Sequence, residues 1–319
     1  MLTSKGLRVN GATIALDDAG SEICFVSHAH SDHTAAFSKK REIIASEETF
    51  HIMGREPQAH GIAGVKLHPA GHMLGARQIF AETNGGSFAY TGDFALHDSY
   101  TAEGAKILQC DTLMIDSTYC NPQMVLPKRN DVLREMERFV ASNHGSIIVF
   151  GAYQTGKTQE LVKFLNKECK VAPVVAGHAA KVCAAYEKCG VRLDYLQGGS
   201  READEEMRSS FVAIMPPSMV NFSFGAKLSE ALGREVKTAV ATGWAKCTRF
   251  PTDTAFALSD HADFRETLQY IQGSGARRVI CANSNSNSAA RHLRRLGIVA
   301  ATKEEAAGEA VQTRLAAGL

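Results

Sequence analysis

Short apolar runs separated by glycine and aspartate dominate the first 118 residues. Runs at 7–9 and 13–16 flank Asn10-Gly11, a pair that favours the positive-φ turn of a β-hairpin. Further strand-like runs follow at 23–27, 65–68, 77–82, 87–91 and 112–115, and only 34–37 and 47–53 read as helices. Dense strands with few helices predict a sandwich that carries helices on its outer faces.

From Asn121 the texture changes. Residues 131–143 put Val132, Leu133, Met136, Phe139 and Val140 on one face, the period of an amphipathic helix. A strand at 147–150, a helix at 158–168, a strand at 171–176 and a helix near 179–188 follow, then strands at 213–215 and 238–241. Phe222 and Phe224 read as one side of a strand, facing a core. After Pro251 the strand-rich texture returns at 256–258, followed by a helix at 263–272 and a strand at 278–282. The fold class predicted is α/β, with a first domain in two parts, 1–120 and 251–319, interrupted by an inserted α/β domain at 121–250.

A length of 319 residues accommodates such a two-domain plan. The net charge of +1 neither demands nor excludes a nucleic-acid substrate, because a basic cleft can sit in a neutral whole. The eight cysteines show no C-x-x-C spacing, and several lie in apolar runs, as small hydrophobes do in a reducing compartment. No segment approaches the roughly 18 consecutive apolar residues of a membrane span, so a soluble, cytoplasmic protein without membrane attachment is expected.

Chemistry concentrates in His28-Ala-His30-Ser-Asp32-His33, directly after the apolar run at 23–27. Neutral imidazole and carboxylate are the donors a borderline divalent ion such as zinc prefers. An extended His-x-His points both rings the same way, and Asp32 and His33 follow where the loop turns, close enough to face a second metal position. Other candidate ligands recur at strand ends: His72 in a glycine-flanked loop, Asp93 in Tyr-Thr-Gly-Asp, Asp116 after an apolar run, and His261 in Ser-Asp-His-Ala-Asp. Any one alone reads as a turn or cap residue; their shared placement raises them together.

These motifs resemble the metallo-β-lactamase-fold hydrolases of the β-CASP family, in particular short forms of the RNA 3′-end-processing or exonuclease type. Asp17 fits the first motif, His28, His30, Asp32 and His33 the second, His72 the third and Asp93 the fourth. Asp116 and His261 fit the acidic and histidine motifs of the β-CASP branch, and Gly243-Trp244-Ala245 is similar to a segment late in its inserted domain. The resemblance implies an αββα sandwich, with the β-CASP domain lidding a two-zinc site. One zinc takes His28, His30 and His72, the other Asp32 and His33, and Asp93 bridges them. Two metals sharing a hydroxide suit phosphodiester hydrolysis. Asp32 then receives the nucleophile's proton, and His261, held by Asp116, is the general acid. Asp263 is either a supporting partner or a helix cap.

One position departs from the family. A late strand should end in a histidine that completes the second zinc site, but here the strand at 278–282 runs into Asn283. An amide oxygen is a poorer zinc ligand than imidazole. The second site is therefore expected to be weak, exchangeable, or taken by another divalent ion such as manganese; His292 falls in a helix reading at 289–296.

Gly151-Ala-Tyr-Gln-Thr-Gly156-Lys157-Thr158 matches G-x-x-x-x-G-K-[ST] between a strand and a helix. Without an assigned magnesium carboxylate, contact of Lys157 and Thr158 with a substrate phosphate is a better use than NTP hydrolysis. Lys128-Arg129 and Arg291, Arg294 and Arg295 are basic clusters that read as solvated helix faces or as backbone contacts. Trp244 reads as packed rather than base-stacking.

The expected function is a zinc-dependent nuclease, with RNA ahead of DNA as substrate. The alternatives are a repair-linked DNA exonuclease and a degenerate nucleic-acid-binding subunit. Both a homodimer and pairing with a related subunit stay open.

Overall fold

A computed structural model describes residues 2–58, 61–283 and 285–308. The chain divides into two compact units. One comprises residues up to Asp98, Ala102–Val125 and the chain from His261; the other comprises Ser99–Thr101 and Leu126–Asp260.

The first unit holds two sheets. The smaller has five strands in chain order, Leu2–Thr3, Gly6–Val9, Ala12–Leu16, Ile23–Phe25 and Glu42–Ile44. Asn10 at φ 48° and Gly11 at φ 85° make its hairpin turn, and the last three strands run parallel. The larger sheet has six strands in the order Ala300–Thr302, Arg278–Ala282, Thr112–Asp116, Gly86–Tyr90, Arg77–Thr83 and Val65–Pro69. Leu7, Ile14, Leu16, Phe25 and Ile44 of one sheet share a core with Ile79, Phe88, Tyr90, Met114 and Ile280 of the other. On the outer face of the smaller sheet, Cys24, Val26 and Ile43 pack with Ala36 and with Phe50 of the helix Glu47–Ile52. On the larger sheet, Tyr270 of the helix Phe264–Ser274 donates to Gln78 Oε1 at 2.5 Å. This is the sandwich with helices outside that the pattern predicts.

The second unit is built on a six-stranded parallel sheet in the order Leu196–Gln197, Val174–Val175, Val212–Met215, Ile147–Gly151, Val236–Ala241 and Thr254–Phe256. Two expectations change here. The unit runs to Asp260 rather than ending at 250, because Thr254–Phe256 pairs with Ala239–Ala241 of this sheet. Phe222 and Phe224 lie on a helix, Phe222–Leu232, not a strand; the Asn221 side chain caps it by accepting from the Phe224 N–H at 2.9 Å. Phe224 packs in the core, whereas Phe222 is 56% exposed. Among the described residues, no helix is long and apolar enough to cross a membrane.

Candidate active site

Strand ends deliver the chemistry. In the smaller sheet, Leu16 pairs with Phe25 in parallel, so Asp17 and the 27–33 loop leave from the same edge. In the larger sheet, Tyr90 pairs with Met114 and Ala282 with Asp116, all parallel, so Asp93, Asp116 and Asn283 leave from adjacent strand ends. Ligands gather at the carboxyl ends of parallel strands for this reason. The loops interlock tightly. A β-bridge joins Gly71 to Phe94, and a Cβ at Gly92 would lie 2.5 Å from Ser27 Cβ, so only glycine fits beside the first loop.

His28, His30, His72 and Asp93 come together, each offering one ligand atom within 4.8 Å of all the others. His28 Nε2 lies 2.9 Å from His30 Nδ1 and 3.6 Å from Asp93 Oδ2. His72 Nε2 lies 3.1 Å from His30 Nδ1 and 3.9 Å from Asp93 Oδ2. Ligands about 2.0–2.1 Å from a tetrahedral ion sit roughly 3.3 Å from one another, so this donor set fits zinc or a similar divalent ion. Burial and the neighbouring imidazoles hold His28 well below its usual pKa, in the neutral form a metal ligand requires. Ser27 Oγ lies 2.9 Å from His28 Nδ1 and fixes the ring with Nε2 toward the cluster.

His33 stands on the other side of Asp93, with Nε2 3.5 Å from Asp93 Oδ2 and 3.5 Å from Asp32 Oδ2. Its Nδ1 lies 2.9 Å from Asp17 Oδ2. Burial disfavours charge on His33, but the hydrogen bond and charge of Asp17, with Asp93 and Asp32, outweigh it and raise the imidazole to about 10. Asp32 is the outlying member, with its side chain 79% exposed. Asp17, at φ 53°, also accepts from the Ser27 N–H at 2.7 Å, Ser27 Oγ at 2.7 Å and the Tyr90 hydroxyl at 2.8 Å.

A second group joins the same carboxylate. His261 Nδ1 is 2.9 Å from Asp116 Oδ2, and its Nε2 is 3.9 Å from Asp93 Oδ2. The Ala262 N–H donates to Phe94 O at 2.6 Å, which ties the His261 turn to the residue after Asp93. Burial opposes ionisation of Asp116, but the His261 hydrogen bond and charge, with the Thr118 N–H and hydroxyl, bring it down to about 2. Burial and the Asp116 charge push Asp93 the other way, up to about 7. Asn283 sits between the two carboxylates, its Nδ2 2.7 Å from Asp93 Oδ1 and 2.7 Å from Asp116 Oδ1.

Two readings are corrected. Lys157 is 1% exposed, with Nζ 2.9 Å from Glu160 Oε2 and 3.5 Å from Asp260 Oδ2, so its charge is spent on carboxylates rather than offered to a phosphate. Thr158 donates its hydroxyl to Tyr153 O at 2.8 Å, and the Gly156 N–H goes to Gln159 Oε1 at 2.8 Å, which removes the phosphate cradle's donors. Arg129 is no solvated face: it pairs with the same Glu160. Asp263 is the helix cap, accepting from the Glu266 N–H at 3.0 Å. The supporting contacts of Ser27, Tyr90 and Thr118 have no signature in the sequence, since a lone hydroxyl beside a motif carries no spacing signal.

No protein-family profile matches the chain. A protein from Opitutus terrae described as a probable DNA ligase is 31% identical over 299 residues, covering 86% of this chain and 28% of that protein. An RNase J-like protein from Methanocaldococcus jannaschii is 26% identical over 188 residues, covering 47% of this chain and 45% of the relative. The 5′ exonuclease Apollo of Rattus norvegicus is 29% identical over 163 residues, covering 43% and 30%. The chain thus spans 28–45% of the length of these curated relatives. A crystal structure of a protein of unknown function from Enterococcus faecalis V583 superposes with a TM-score of 0.55 at 15% identity, over 83% of this chain and 76% of that one. The chain belongs to the metallo-β-lactamase-fold proteins of the β-CASP family.

Proposed function

We propose that this protein is a metal-dependent nuclease that hydrolyses phosphodiester bonds, with DNA as its first substrate. The observation that carries the reading is the convergence of His28, His30, His72 and Asp93 beside the His261–Asp116 pair. The relative named a probable DNA ligase favours DNA, and the one named a 5′ exonuclease favours strand cleavage. The RNase J-like relative favours RNA as the second reading.

His28, His30, His72 and Asp93 would hold one divalent ion. When bound, the ion supplies a Lewis acid that polarises a phosphoryl oxygen and acidifies a water. Asp93 Oδ2 lies 3.5–3.9 Å from His28, His33, His72 and His261, so one carboxylate links the imidazole cluster to the His261 side of the site. Asp32, exposed at the rim, accepts a proton from the attacking water. The Asp116 carboxylate orients His261 through Nδ1 and stabilises its imidazolium, which leaves Nε2 to protonate the departing oxygen. Asn283 presents an N–H donor to Asp93 and Asp116, so a second ion beside His33 and Asp32 is held weakly. With eight free cysteines, a reducing cytoplasm is the fitting location.

End-labelled single- and double-stranded DNA and RNA, incubated with zinc, manganese or magnesium, test the reading. Metal-dependent cleavage that His30→Ala abolishes, faster on DNA, is expected. Binding without cleavage under every metal would instead identify a nucleic-acid-binding subunit, and faster RNA cleavage would reverse the substrate order.

A further inference from the structure

We infer that a basic cavity on the first unit, remote from the ligand cluster, anchors the phosphate backbone of a single nucleic-acid strand. This inference rests on the nuclease reading above. The cavity measures about 470 Å³ and is lined by Lys39, Lys40, Arg41 and Arg55 over a floor that includes Phe37 and Phe50, with Glu56 the sole carboxylate among the described lining residues.

Three observations argue for an anionic occupant. Lys39, Lys40 and Arg55 are exposed, and none of the four cations forms an ion pair among the described residues, in contrast to Arg77 with Glu48 or Lys303 with Asp18 on the same unit. Among the described residues, the Nε of Arg41 is buried with no hydrogen-bond partner, so no carboxylate there holds it in place. The chain as a whole carries only +1, so four positive groups around one concavity are a local feature rather than a general excess.

The shape selects the kind of anion. A concavity of this volume suits a nucleotide-sized group better than a flat lipid surface does. Half-buried Phe37 offers a ring on which a base can stack between backbone contacts. Placement gives the cavity a purpose. Arg41 precedes the strand Glu42–Ile44, whose first residue pairs with Ile23, while His28 lies beyond the other end of the strand Ile23–Phe25. At about 3.3 Å per residue the two ends stand roughly 17 Å apart, so a strand of several nucleotides could be held at one and cut at the other.

The test is fluorescence anisotropy of a labelled single-stranded DNA 20-mer with the metal-free protein, across a salt series. It compares wild type with Lys39→Ala/Lys40→Ala/Arg55→Ala and with a control of equal charge loss, Lys66→Ala/Lys188→Ala/Lys227→Ala. The cavity variant should weaken binding on the order of tenfold and flatten the log–log salt slope by about 2, from roughly 0.7 per lost phosphate contact. The control should change neither. Equal loss in both variants, no loss in the cavity variant, no binding by wild type, or loss confined to anionic lipid vesicles would each overturn the inference. Hydrolysis of bis-p-nitrophenyl phosphate, too small to need the anchor, should be the same in wild type and the cavity variant. Its loss from wild type would mark failure of the nuclease reading instead.

Discussion

The amide nitrogen of Asn283 lies 2.7 Å from Asp93 Oδ1, at a strand end where the family resemblance calls for an imidazole. It lies equally close to Asp116, so one side chain bridges two buried carboxylates that would otherwise repel. The exchange of a ligand for a donor has a measurable consequence. Asn283→His should raise the metal retained after chelator dialysis from one equivalent toward two. Elemental analysis of both proteins checks this; two equivalents already held by wild type would refute it.

Protons and metal compete at the same atoms. His33 is raised to about 10 from 6.5, so in the metal-free protein its contribution is complete below pH 6.5 and is lost as pH rises toward 10. Asp93 is raised to about 7 from 3.8, which adds a penalty that grows across that interval. Both signs agree above pH 4. In EDTA, the melting temperature should fall between pH 6 and 9, by on the order of 5 °C for about 3–5 kcal/mol. Saturating zinc should flatten or reverse the trend, because the ligands bind deprotonated. Calorimetric melts at both pH values decide it, and a flat profile in EDTA would count against the electrostatic picture.

Asp17 touches no bound ion in the proposed arrangement, yet it receives Ser27, Tyr90 and His33 at 2.7–2.9 Å. Asp17→Ala should weaken zinc affinity about 10–100-fold through loss of ring orientation. A competition titration with a chromophoric chelator measures this, and unchanged affinity would show that the support is dispensable.

Lys157 makes the opposite kind of prediction. Removing its charge leaves Glu160 and Asp260 short of a buried cation. Lys157→Met should therefore destabilise the protein by about 3 kcal/mol in denaturant melts. ATP should bind neither wild type nor variant. ATP binding by wild type that the variant loses, with stability unchanged, would restore the phosphate-cradle reading.

Much of this site is legible in the chain because its ligands sit directly after strands. His28 and His30 follow an apolar run, and Asp93 and Asp116 close others, so strand polarity alone sends them to one edge. What stayed hidden depends on distant partners. The three-residue strand Thr254–Phe256 joins the second unit's sheet only through pairing with Ala239–Ala241, which no local pattern records. Phe222 and Phe224 show the two-residue period of a strand, but the Asn221 cap starts a helix there. The G-x-x-x-x-G-K-T match is intact as a string; Glu160 and Asp260, the second about a hundred residues away, decide what its lysine does.

In the proposed arrangement, three imidazoles and Asp93 grip one catalytic divalent ion. Chelator-stripped protein titrated with zinc or manganese, with DNA cleavage read at each step, tests it most directly. Activity should rise linearly, saturate at one equivalent, and be absent at every metal level in His72→Ala. Cleavage by the stripped protein without added metal, or undiminished cleavage by His72→Ala, would contradict it.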